Sequence, residues 1–127
     1  MRKRSLTPLG ETEMEVLHHV WDLGEATVAE VRERIQHDRS VAYTTVMTVL
    51  KNLTEKGFLK YRKEGRSYVY SSARSPEEVR HSLVGELVRK VFKGSPLSLM
   101  QTLVEREDLS DNDLAELRTL IDQMDDA

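Results

Sequence analysis

The chain has 127 residues, 39% of them hydrophobic and 32% charged, with a formal net charge of -3. That length allows about one domain, or a small domain with an appended association segment, and leaves little room for a large enzymatic core. No stretch approaches the ~18 consecutive apolar residues of a membrane span, and the basic start MRKRSLTPLG lacks the apolar region of a secretory signal. The absence of cysteine removes disulfides, thiolate nucleophiles and Cys-based metal sites, and it fits a cytoplasmic protein.

The small net charge hides an asymmetry. Residues 1–74 hold 13 Lys/Arg against 10 Asp/Glu, whereas residues 75–127 hold 6 against 12. Within residues 39–74, eight Lys/Arg face only Glu55 and Glu64, a local balance of +6. Salt screens distant charges more than near ones, so an acidic protein can still present one anion-seeking surface. Nucleic acid is the first partner to consider.

In chain order, LGETEMEVLHHVWDLG opens a first helix with Gly10 as N-cap, Glu13 three residues on, and Leu9 and Met14 spaced as a hydrophobic staple. Thr7 before Pro8 is a competing start. Val16, Leu17, Val20, Trp21 and Leu23 form its apolar stripe, and Gly24 ends it. Thr27 and Glu30 form a capping box for a second helix with Val28, Val31 and Ile35 inward, ending near His37. A third helix spans residues 43–56 and is closed by Gly57. At 100° per residue, Val46, Val49, Leu50 and Leu53 share one face, while Thr44, Thr48 and Lys51 lie opposite, flanked by Thr45 and Asn52.

The segment FLKYRKEGRSYVYSS reads as a β-hairpin turning at Glu64-Gly65-Arg66, basic through Lys60, Arg62, Lys63 and Arg66. Three helices and then a basic hairpin are the order of a winged helix-turn-helix. Beyond it, Ser75-Pro76 starts a helix with the stripe Val79, Leu83, Leu87 and Val91, beside Val84, Val88 and Phe92. Lys93-Gly94-Ser95-Pro96 stops it and starts another over residues 97–104. Ser110 caps a last helix carrying Leu114, Leu117, Leu120, Ile121 and Met124. Three short helices with apolar stripes cannot cover themselves, and isolated helices of this size are marginal in water. The expected architecture is mainly α (α+β), with a winged-helix domain over residues 1–74 and a helical homodimerisation domain over residues 75–127. Its dimerisation face is Val79, Leu83, Leu87, Val91, Leu114, Leu117 and Ile121.

Threonine on a helix surface is commonly just solvated, but a basic hairpin directly after it changes the reading. A helix entering the major groove needs short side chains that donate, accept and touch thymine methyls, as Thr44, Thr45 and Thr48 do. Tyr43, Lys51 and Asn52 add base-edge or phosphate bonds, and from the wing Lys63 reaches a phosphate and Arg66 a phosphate or the adjacent minor groove. Arg2, Lys3 and Arg4 read as a solvated or loosely phosphate-contacting arm. His18, His19, His37 and His81 lack metal-ligand spacing, and Trp21 and the methionines read mostly as core. With no catalytic constellation or phosphate loop, no enzymatic activity, metal or cofactor is expected.

The runs VAYTTVMTVLKNLTEKGFL, YVYSS and LVEREDLSDNDLAELRTLI make residues 6–121 similar to the BlaI/MecI/CopY family of penicillinase and methicillin-resistance repressors. The resemblance implies a dimeric repressor on a palindromic operator, contacting it through the residues matching Tyr43 to Asn52 and the wing. Copper-sensing members carry a Cys-x-Cys motif, and this chain has no cysteine. Members that answer to β-lactams are cut by a membrane sensor protease at an Asn-Phe bond, for which the matching bond here is Thr102-Leu103. A protein-protein adaptor on the same scaffold is the alternative, and the +6 balance speaks against it.

Overall fold

The computed structural model describes residues 9–125, so the arm Arg2, Lys3 and Arg4 and the alternative start at Thr7-Pro8 lie outside the described residues. The order is α1 (Glu11–Leu23), β1 (Glu25–Ala26), α2 (Val28–Gln36), α3 (Tyr43–Glu55), β2 (Leu59–Glu64), β3 (Ser67–Ser72), α4 (Pro76–Val91), α5 (Pro96–Glu105) and α6 (Asp111–Asp125). Local chemistry sets these ends. Glu13 Oε1 accepts from Gly10 N at 3.0 Å, and Thr27 and Glu30 bond reciprocally at 3.0 and 3.2 Å. Ser75, Ser95 and Ser110 each accept, at 3.1 Å, from the backbone N–H three residues on. Gly57 leaves α3 at φ 86°, where a side chain would be strained. Gly65 takes φ 62° at the first position of the two-residue hairpin turn, the sign that a type II′ turn requires there.

The sheet has the order β1-β3-β2, all antiparallel. The hairpin was foreseeable, but β1 was not: two residues are too few to show any alternation. Ala26 within it is fully buried. The core packs Val16, Leu17 and Val20 of α1, Val28, Val31 and Ile35 of α2, and Val46, Leu50 and Leu53 of α3 beneath Leu59 and Tyr70 of the sheet. These are the stripes that helical periodicity selects, so the amphipathic pattern determined which face turns inward. The result is a winged helix.

One compact unit runs to Gly85 and a second begins at Glu86, so the division falls inside α4 rather than after Arg74. The reason is Val79, which is fully buried in the winged-helix core, with Leu83 packed against that core. Arg80 also lies over the Trp21 ring at 5.9 Å. The second unit is different in kind. Among its described residues none is buried, and Val91, Leu97, Val104, Leu120, Ile121 and Met124 are exposed. Among the described residues no helix is long and apolar enough to cross a membrane.

Candidate nucleic-acid interface

Helix α3 buries Val46, Leu50 and Leu53 and half-buries Val49, leaving Tyr43, Thr44, Thr45, Met47, Thr48, Lys51, Asn52 and Glu55 exposed. Threonine hydroxyls in helices usually satisfy themselves on the preceding turn. Thr54 does so, donating to Leu50 O at 2.9 Å. Thr44, Thr45 and Thr48 make no such bond among the described residues, so their hydroxyls remain available to an outside partner.

The wing's register decides what stands beside that face. Tyr61 pairs with Tyr70 and Lys63 with Tyr68, and residues two apart share a side of the sheet, so three tyrosines and Lys63 lie together. The Tyr61 and Tyr68 rings meet edge to face at 5.1 Å between centroids, and Tyr61 tilts against Tyr70 at 6.0 Å. This side looks toward α3: Tyr61, Tyr68 and Tyr70 line one cavity with Met47, Thr48 and Lys51. Burial pushes the Tyr70 phenol above its ordinary pKa, with the neighbouring tyrosines adding to the effect, and so keeps it neutral. Arg66 is exposed at the tip. Tyr43, Thr44, Thr48, Lys51, Lys63 and Arg66 therefore stand on elements that meet across one concave surface, while Thr45 and Asn52 occupy the flank of α3 away from the wing.

The +6 expected for residues 39–74 is reduced by folding. Lys56 pairs with Glu13 at 2.8 Å, Arg39 with Glu15, Arg62 with Glu25 at 2.6 Å and Glu64 at 2.9 Å, and Arg74 with Glu78 at 4.0 Å. Four of these five carboxylates come from outside the counted window, which is why a linear count overstated the field. Lys51, Lys60, Lys63 and Arg66 make no ion pair among the described residues and carry the anion-seeking charge. The methionines do not all join the core that their stripes predict: Met47 is 44% and Met124 74% exposed.

The Arg62 pair gives a testable consequence. Its guanidinium, by hydrogen bond and then by charge, holds the Glu25 carboxyl below the usual carboxylate range. The pairing is fully present above the unfolded carboxylate pKa of about 4.3 and is lost as pH falls through the lower folded value. At neutral pH, Glu25→Gln should do what acid does and release Arg62 from its closest partner. Non-specific DNA affinity should rise, and the log-log salt slope should steepen by up to ~0.9. An anisotropy titration over salt reads both, and an unchanged slope would mean that Arg62, still paired with Glu64, gains no phosphate when Glu25 is lost.

The expected dimerisation residues divide. Val79 is taken by the core of its own chain and cannot serve a partner, and Leu83 is mostly engaged there too. Leu87, Leu114 and Leu117 are half-buried, and Val91 and Ile121 are exposed. Thr102 and Leu103 are half-buried inside α5, with Thr102 Oγ1 donating to Ser98 O at 2.9 Å.

The methicillin resistance regulatory protein MecI of Mammaliicoccus sciuri is 29% identical over 115 residues, which are 91% of this chain and 94% of that protein. The transcriptional regulator BlaI of Mycobacterium tuberculosis is 35% identical over 103 residues, 80% of this chain and 75% of its own. The solution structure of the DNA binding domain of the repressor BlaI superposes with a TM-score of 0.51 at 25% identity, covering 60% of this chain and 93% of that domain. A mutant MarR from E. coli shares the fold, with a TM-score of 0.51 at 16% identity over 92% of this chain and 78% of its own. Residues 9–123 match the penicillinase repressor model, and the chain belongs to that family.

Proposed function

We propose that the protein is a DNA-binding transcriptional repressor, acting in the cytoplasm as a homodimer on an inverted-repeat operator. The carrying observation is the concave surface where Thr48 and Lys51 of α3 face the wing tyrosines, with the exposed Lys63 on that side of the wing and Arg66 at its tip, three cations without an ion pair among the described residues. The relatives named above are regulators of transcription rather than enzymes. In this reading α3 enters the major groove, where Thr44, Thr45, Thr48 and Asn52 meet base edges. Lys51, Lys63, Arg66 and the Tyr43 phenol hold phosphates.

Two-fold protein symmetry then requires half-sites about 10–10.5 base pairs apart or a multiple of that. The support for a dimer is a unit made of the end of α4 with α5 and α6 that has no buried residue among those described. Its remaining apolar face is Leu87, Val91, Leu114, Leu117 and Ile121. Relief of repression would follow a cut by a membrane sensor protease at Thr102-Leu103, separating α6 from the DNA-binding half. That bond lies within a helix, so the turn held by Thr102 and Ser98 must open before a protease can take it as an extended substrate.

The test separates positioning from readout. Lys63→Ala and Arg66→Ala should each weaken binding to any duplex and lower the salt slope by about 0.9, whereas Thr45→Ala and Thr48→Ala should relax discrimination at particular base pairs by ~1–3 kcal/mol. Titrations against a matched and a scrambled duplex measure both. Threonine variants that keep full sequence preference would place the groove-facing side elsewhere.

A further inference from the structure

Of the exposed residues of α3, Met47 alone lacks a hydrogen-bond donor or a strong acceptor. It is 44% exposed and lies about 40° around the helix from Lys51, on the flank nearest the wing. With Thr48, Lys51, Tyr61, Tyr68 and Tyr70 it lines a cavity of about 440 Å³. Tyr61 and Tyr68 are themselves exposed, so an apolar wall faces whatever occupies the concave surface. Lys51 on its lining and Lys63 on the tyrosine side of the wing, both without ion pairs among the described residues, outnumber Glu55 in the adjoining cleft, and the balance suits a polyanion.

We propose that Met47 is a specificity-determining residue that reads thymine, its thioether end packing on a thymine C5-methyl group at the wing side of each half-site. This rests on the repressor reading above and deepens it. The chemistry leaves little choice of target. Every base pair presents donors and acceptors in the major groove, but only thymine offers an apolar group there. Against a polar base edge Met47 would strip water and return no hydrogen bond, which is unfavourable. Against a methyl it removes apolar surface on both sides, and its flexible, polarizable chain adapts to the small variations of groove geometry. The rings of Tyr61 and Tyr68 would close the contact from the wing side and keep water out. The preference is therefore for thymine over cytosine, and for thymine over uracil, which differs only by the methyl.

The experiment uses the full chain and the tightest duplex it selects from a random-sequence pool, with each thymine replaced singly by uracil. One position per half-site should lose affinity about fourfold, the worth of one buried methyl, and the symmetric double replacement about sixteenfold. Met47→Ala should abolish that penalty, Met47→Leu should keep it, and Thr48→Ala should leave it in place. Because Met47 is half open to solvent, the alanine variant should keep its circular dichroism and melting behaviour. A wild type indifferent to uracil, or a penalty that survives in Met47→Ala, overturns the inference while leaving the repressor reading intact. A change in sedimentation of Met47→Ala without DNA assigns the patch to a second copy of the chain and also overturns it. If no duplex is selected at all, the repressor reading fails and this inference with it.

Discussion

Ile121→Asp lowers operator affinity by about 10²–10⁴ while leaving the winged-helix unit as stable as before. Ile121 is 50% exposed on α6, so in a single chain an aspartate there meets water and costs almost nothing. In a dimer the same residue would place an unpaired charge against apolar surface, where burial is costly. The expected loss is large because on the proposed operator a single winged helix would hold its half-site through few contacts, and joining two of them would turn the second binding event into an intramolecular one. Sedimentation at micromolar concentration should show the variant shifted toward monomer, and its binding curve should approach that of a half-site duplex. Unchanged affinity together with unchanged association would remove α6 from the interface.

A chain ending at Arg74 is less stable than one ending at Gly85 by about 3–5 kcal/mol. Val79 is fully buried in the core, and burying a valine contributes ~1.5–3 kcal/mol. Leu83 packs on the same core, and Arg80 covers the Trp21 ring, so removing this turn of α4 also exposes what they shield. Against a typical total of 5–15 kcal/mol the loss brings the shorter chain near its threshold. Urea titrations of the two chains measure the difference directly. Equal midpoints would mean that α4 is dispensable to the domain and that residue 74 is its true end. The result also matters for any comparison of half-site binding, because only the chain ending at Gly85 keeps the DNA-binding unit whole.

Sequence alone determined what depends on near neighbours along the chain. Capping residues such as Thr27 and Ser110 sit within three positions of the groups they satisfy, and helical stripes such as Val46, Leu50 and Leu53 repeat at the helix's own period. A hairpin tip at Gly65 is set by two residues. The winged-helix order and the threonine face of α3 were therefore legible before any coordinates. Tertiary structure decided whatever joins residues distant in sequence. Only folding brings Glu13, Glu15 and Glu25 to Lys56, Arg39 and Arg62, so the effective charge of the DNA-facing half could not be counted along the chain. Only the sheet register aligns Lys63 with three tyrosines on the side facing Met47. Val79 shows the limit most plainly: periodicity put it on an apolar stripe, but a stripe does not say what covers it, and here the cover is the chain's own core.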